Sequence, residues 1–327
     1  MFDHFPTPQN IQSIALPALP KIYLKAFISR KAGLTENENF PKISKYTEII
    51  ISDEFSKAYH DICQTDVKVN LITMPQVLIV PLHFHILSDP LSKMPIFGLI
   101  HARNEIFSRK PLATNQKLGV LAWTGESKWN DKGMYLDLWS AIDPSFVGID
   151  WSSLSAEQIQ EKISQAAWMC RMTVFKMKGK PKETEAKEVK KTVEPKSGDI
   201  LPINHLIKWV LSADLGRKYA SVSGDYNPIH LFPWTSRFFG FKEPIIHGMW
   251  SLARALGELE KTNFASQNPD PVYKPSFLEV KFKRPIAIPT EVFLKMEEKL
   301  EKNQKDFTIY LSSSKVALDG SLIKQSL

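Results

Sequence analysis

The sequence predicts an α+β chain in which one long helix and an antiparallel sheet occur together, and occur twice. Three observations lead there. Strand-like segments come in runs after a helix rather than alternating with helices, which favours antiparallel pairing. A segment around Phe97, FGLIHARNEI, is echoed 180 positions on by FLEVKFKRPI around Phe277. The glycine patterns that seat a phosphate on a parallel sheet, G-x-G-x-x-G and G-x-x-x-x-G-K-[ST], are both missing, as is the G-x-S-x-G elbow.

Taken in order, the first half opens with an apolar helical stretch between Val77 and Leu87, followed by the segment around Phe97. Lys117–Trp123, Met134–Ile142 and Ala167–Met177 then read as strands by alternation and β-branched or aromatic content. From Lys178 to Gly198 the chain changes character, with seven Lys, four Glu and no aromatic residue. Such a stretch buries too little apolar surface to offset its ordering entropy. It is expected to be a charged flexible linker at 178–199 between domains 1–177 and 200–327. In the second half, Met249, Leu252, Ala253, Leu256 and Leu259 follow helical spacing. Thr290–Leu300, Phe307–Ser312 and Lys315–Ala317 read as strands. Overlaying Phe97 on Phe277 puts Ile100 on Val280, Arg103 on Lys283 and Ile106 on Ile286. Two like domains packed as a pseudo-dimer is the resulting expectation.

Composition narrows the classes. The 327 residues are 43% hydrophobic and 24% charged, as in an ordinary globular protein. Two cysteines, Cys63 and Cys170, exclude a disulfide framework and a cysteine-based zinc cluster. The N-terminus, MFDHFPTPQN, lacks the features of a secretory leader, and no apolar run reaches the roughly 18 residues that span a bilayer. A cytoplasmic protein without membrane insertion is expected. The net charge of +7 suits anionic partners, but the aromatic-interleaved basic stretch of an RNA-binding module is missing, so nucleic acid is not expected. His83 and His85 lack a third ligand at useful spacing and are expected to be structural, so no metal site is assigned.

The chemistry concentrates in YASVSGDYNPIHLFPWTS, from Tyr219 to Ser236. Gly224 permits a left-handed backbone, and Asn227-Pro228 marks a turn or helix start. That bend can bring Asp225 and His230 onto one small volume, where a carboxylate and an imidazole order and polarise a water. Read singly, Asp225 also fits a plain turn acceptor and His230 a structural histidine. Farther on, Ile245-Ile246-His247-Gly248-Met249 opens the apolar helix. Free N–H groups at a helix start suit a carbonyl that gains negative charge, and Gly248 would let it approach. Relief of crowding between helix and sheet is an equally good account of Gly248 alone.

Together, Tyr219, Ser223-Gly224-Asp225, Asn227-Pro228-Ile229-His230 and Ser236, followed by Ile246-His247-Gly248-Met249, resemble the signature of MaoC-like, R-specific enoyl-CoA hydratases. The resemblance covers roughly 214–289. It implies two hot dog domains, each a long central helix wrapped by an antiparallel sheet. It implies that Asp225 and His230 activate the water added across a 2-enoyl thioester, or run the reaction backwards as a 3-hydroxyacyl dehydratase. The Gly248 amide would hold the thioester oxygen, and Asn227 would fix the loop. His247, Met249 and Trp250 are expected to contact substrate, with Trp250 narrowing the acyl pocket. No cofactor is implied beyond the CoA or phosphopantetheine of the substrate. Acyl-CoA or acyl carrier protein thioesters are the expected partners, and a homodimer of two such chains is in keeping with them.

The first half lacks the signature. Aligning Pro75 with Pro244 puts Leu78 where the second half has His247 and Ile79 where it has Gly248. It resembles the degenerate copy of fused two-domain hydratases, expected to complete the interface and widen the acyl pocket. Arg254, Lys281, Lys283 and Arg284 offer a landing place for carrier phosphates, or simply a solvated face. The alternatives to the hydratase are a thioesterase of the same fold and a non-catalytic acyl-thioester binder.

Overall fold

The computed structural model describes residues 2, 4–16, 19, 22–23, 33–35, 38–67, 71–178, 206–264, 274–299, 302–312 and 315–324. Apart from Lys178, the expected linker at 178–199 lies outside the described residues. The strands are β1 (Gln12–Ser13), β2 (Ser44–Ile50), β3 (Leu99–Ser108), β4 (Lys117–Asn130), β5 (Gly133–Asp143), β6 (Trp168–Met177), β7 (Ile207–Leu211), β8 (Ser276–Phe282), β9 (Thr290–Lys299), β10 (Gln304–Ser312) and β11 (Lys315–Lys324). The α-helices are α1 (Asp53–Cys63), α2 (Met74–Leu78), α3 (Val80–Ser88), α4 (Ala156–Ser164), α5 (Leu215–Ser223), α6 (Pro233–Arg237) and α7 (Gly248–Phe264).

The strands form one eleven-stranded sheet in the order β1-β2-β4-β5-β6-β3-β8-β11-β10-β9-β7. Every ladder is antiparallel except β1 with β2. The second half repeats the first in mirrored order about the β3–β8 seam. At the seam Glu105 stands opposite Glu279. Two like charges in direct register repel. Arg103 answers both, at 2.9 Å from Glu105 and 3.1 Å from Glu279, and Arg171 adds a second ion pair to Glu105.

The repeat is real, but its register differs from the sequence overlay. Arg109 and Lys110 N–H both donate to Ala167 O, and Lys283 and Arg284 N–H both donate to Ala317 O. Arg109-Lys110-Pro111-Leu112 therefore matches Lys283-Arg284-Pro285-Ile286, so the offset is 174 positions and not 180. Apolar alternation has a period of two, so a slip of six keeps apolar residues over apolar ones and leaves no trace in the pattern.

Helix α7 is the expected long central helix. Trp250, Leu252, Ala253, Ala255, Leu256 and Leu259 are each 3% exposed or less, so it is buried almost all round. Its Gly257 lies against Thr65, just past the end of α1, where a Cβ would come within 2.1 Å of a methyl carbon. The first half departs from expectation. In place of one long helix it has two short ones, with Pro75 and Pro81 in their first turns and Ile79 between them. Proline removes a backbone donor and crowds the preceding turn, so the helix restarts, with Ile79 O accepting from Leu82 and His83 N–H. Because α2 opens at Met74 after Thr73, Leu78 ends a helix and does not occupy the place of His247.

Lys117–Trp123, Met134–Ile142, Phe307–Ser312 and Lys315–Ala317 lie within longer strands, β6 starts one residue after Ala167, and the expected end of β9 at Leu300 lies outside the described residues, while β1, β2, β7, α1, α4, α5 and α6 carried no sequence prediction. The inner face of β4 contributes Leu118, Val120 and Ala122 to the main core. Its outer face contributes Leu121 and Trp123 to a second cluster under Trp139, Trp151 and α4, so the first half is covered on both faces.

Candidate active site

The bend between α5 and α6 is built by local chemistry. Helix α5 ends at Gly224, whose φ of 71° is left-handed, with its N–H on Ala220 O. Asn227 caps a 3-10 turn, Pro228–His230, by accepting from Ile229 N–H. Asp225 Oδ1 accepts the Asn227 N–H at 3.2 Å. Asp225 is thus the turn acceptor that the plain reading anticipated, but only through one of its oxygens. Gly216 lets α5 press on the turn, since a Cβ there would sit 2.2 Å from His230 O.

Three ionisable side chains converge. One ligand atom each from Asp225, His230 and His247 lie within 4.8 Å of one another. His230 Nδ1 lies 2.7 Å from Ile245 O, which makes it the protonated nitrogen and leaves Nε2 with a lone pair. His247 Nε2 donates to the backbone O of Asp225 at 2.9 Å and lies 3.8 Å from Asp225 Oδ2. The two imidazoles stack at 3.7 Å, and His247 also packs on Tyr219 at 4.8 Å. The Asp225 side chain is 25% exposed, while His230 and His247 are buried.

Burial works against charge on all three groups. It pulls His230 below the ordinary imidazole range, with the Asp225 carboxylate and Ile245 O opposing. Burial, reinforced by His230, pushes His247 down to about 3. Burial would raise Asp225, but the two histidines, the Asn227 N–H and the Tyr23 hydroxyl outweigh it and hold the carboxyl below its usual range. The site therefore presents an ionised carboxylate beside a neutral imidazole, a pair suited to polarising water. One carboxylate oxygen and two imidazole nitrogens also form a donor set that a divalent cation accepts.

Gly248 is the first residue of α7, where an N–H has no intrahelical acceptor. A Cβ there would stand 2.7 Å from the Phe282 ring, so crowding also accounts for this glycine. Met249 Sδ lies 3.3 Å from Asn104 Nδ2 of the first half. Trp250 does not fit its expected role. Its indole N–H donates to Ile62 O, and its ring meets Trp209 edge-on at 6.1 Å, so it belongs to the core.

The basic residues are also committed. Arg254 holds Gln64 O and Glu258, Lys281 pairs with Glu279, Lys283 with Asp319, and Arg284 donates to Val316 O. His83 is structural as expected, with Nε2 on Ser140 Oγ at 2.7 Å. Sequence reading missed Tyr23, whose hydroxyl donates to Asp225 Oδ1 at 3.0 Å, and nothing in PALPKIYLKAF marks it.

Comparison with known proteins bears on the fold and on the second half of the chain. Residues 178–319 match the family model described as a MaoC like domain. The 3-hydroxyacyl-thioester dehydratase X of Mycobacterium tuberculosis is 28% identical over 203 residues, covering 62% of this chain and 60% of that protein. The aligned part thus spans under two thirds of that relative's length. A crystal structure of HtdX from the same organism superposes with a TM-score of 0.64 at 20% identity, covering 87% of this chain and 100% of that one. A MaoC-like dehydratase from Phytophthora capsici gives 0.57 at 16% identity, covering 88% and 97%. At these identities the structural likenesses establish the shared hot dog fold. Residues 178–319 thus carry a region similar to the MaoC like domain, and the chain is related to a 3-hydroxyacyl-thioester dehydratase over part of its length.

Proposed function

We propose that this chain is a hydro-lyase that interconverts 2-enoyl and (3R)-3-hydroxyacyl thioesters. The observation that carries the reading is the convergence of the Asp225 carboxylate and the His230 imidazole within 4.8 Å on the bend that faces the start of α7. In the hydration direction, a water between Asp225 and His230 Nε2 adds its oxygen to C3. The pair takes one proton from that water and returns one to C2, so one H₂O is added overall. Between the two transfers, negative charge on the thioester oxygen meets the Gly248 N–H. Dehydration runs the same steps in reverse. The (3R) outcome rests on the family resemblance.

As proposed, the reaction draws on no resident metal or redox cofactor. The substrate is carried as a CoA or carrier-protein thioester, and the first half contributes the acyl pocket. A cytoplasmic setting fits the two cysteines, which are buried and unbridged.

Incubation with crotonyl-CoA and longer 2-enoyl-CoAs tests the reading. Loss of the conjugated absorbance without release of free thiol is the expected result, unchanged by a chelator. Thiol release would instead indicate a thioesterase, and neither change a binder. Asp225→Asn and His230→Gln should each slow the reaction by roughly two orders of magnitude or more. A rate like the unaltered protein's in either variant would contradict the assignment.

A further inference from the structure

Tyr23 lies 202 positions before Asp225 in the chain, yet its hydroxyl is 3.0 Å from Asp225 Oδ1. Its ring is held by first-half aromatics, 5.5 Å from Phe84 and stacked 6.3 Å from Phe97. Leu19 lies against Gly224, where a Cβ would come within 2.6 Å of its Cδ1. Described residues of the N-terminal segment therefore contact the bend on both Gly224 and Asp225. Oδ1 accepts from Tyr23 and from the Asn227 N–H, while Oδ2 faces His247 Nε2 at 3.8 Å. A carboxylate with two donors on one oxygen is fixed in its plane and offers the other oxygen to the site.

We propose that Tyr23 is a positioning residue for Asp225, locking Oδ1 so that Oδ2 is the oxygen that works on the water. This rests on Asp225 being the catalytic carboxylate. The assignment gives the first half a part in the chemistry of a motif that lies wholly in the second. The hydroxyl acts as a donor throughout, because burial and the adjacent carboxylate push its own ionisation well above the ordinary phenol range.

The groups that act electrostatically on Asp225 come from several elements: His230 on the 3-10 turn, His247 at the start of α7, His101 on β3, Tyr219 on α5 and Tyr23 itself. Of these, Tyr23 is the one whose hydroxyl bonds the carboxylate. Removing it takes away a donor that favours the charged form, so the carboxyl ionises at higher pH.

The experiment is Tyr23→Phe in the full chain, assayed on crotonyl-CoA from about pH 3 to 9 with initial rates taken before acid unfolding, and with Asp225→Asn alongside. The ring and its packing remain, so circular dichroism should match that of the unaltered protein. We expect kcat to fall about tenfold, the KM to stay within about threefold, and the acidic limb of kcat/KM to move up by about one pH unit. A 3-fluorotyrosine at position 23, with a more strongly donating hydroxyl, should move the limb down. An unmoved acidic limb in both variants would overturn the proposal, even with a raised KM, because Tyr23 would then only wall the site. A fully active Asp225→Asn would instead sink the underlying reading, whatever Tyr23→Phe does.

Discussion

Replacing Gly248 with alanine separates the two accounts of that glycine. The new Cβ would lie 2.7 and 2.8 Å from two carbons of the Phe282 ring. Ordinary carbon contacts are about 3.5–4.0 Å, so ring or helix start must move by about 1 Å. The ring has little room to give. It packs on His101 at 4.7 Å, and its backbone pairs with Leu318 in β11. The start of α7 moves instead, and it carries both the Gly248 amide and His247, which holds the Asp225 carbonyl. A 1 Å displacement of reacting groups costs on the order of a hundredfold in rate. Overpacking costs about 1–3 kcal/mol in stability, partly offset by up to about 1 kcal/mol from removing a helical glycine. Gly248→Ala should therefore lose about two orders of magnitude in kcat while its stability falls by no more than about 2 kcal/mol. Phe282→Ala clears the space, so the double variant should recover part of the loss, with a coupling of about 0.5–3 kcal/mol. Steady-state kinetics and urea melts read both effects. A folded Gly248→Ala with unaltered kcat and KM would refute the reasoning, since neither the amide's position nor the crowding would then matter.

Two further outcomes concern stability. Burial holds His83 and His247 down to about 3, so below pH 6.5 the unfolded chain binds protons that the native chain refuses. Stability should be full above that pH and fall at up to about 3 kcal/mol per pH unit towards pH 4, read as a shift in urea midpoint. A midpoint flat from pH 6.5 to 4.5 would count against it. At the seam, Arg171→Leu leaves Glu105, 4% exposed, paired with Arg103, which is shared with Glu279. It should cost about 2 kcal/mol or more by thermal melt, and a neutral result would show that Arg103 suffices.

The bend from Gly224 to His230 was legible because its chemistry is local. Gly224, Asp225, Asn227, Pro228 and His230 make their own turn, so their spacing showed that carboxylate and imidazole can meet, and the resemblance to MaoC-like hydratases gave the pair its expected role. His247 was found as part of the helix start, but its bond to the Asp225 carbonyl and its stack on His230 depend on how α7 docks. Trp250 was misread because an aromatic at a helix start has no direction in sequence; its partner, Ile62 O, lies 188 positions away. The first-half helix was predicted unbroken because apolar content hid the effect of Pro75 and Pro81.

By itself the sequence determined the α+β class, the two-fold repetition, most strands and the local bend that carries Asp225 and His230. Each depends on period, composition or neighbours a few residues apart. Tertiary structure alone decided the 174-position register, the fusion of both halves into one sheet, and the arrival of Tyr23 at Asp225. A strand pattern of period two repeats too soon to fix a long-range register. A contact across 202 residues leaves no mark on the residues near either end.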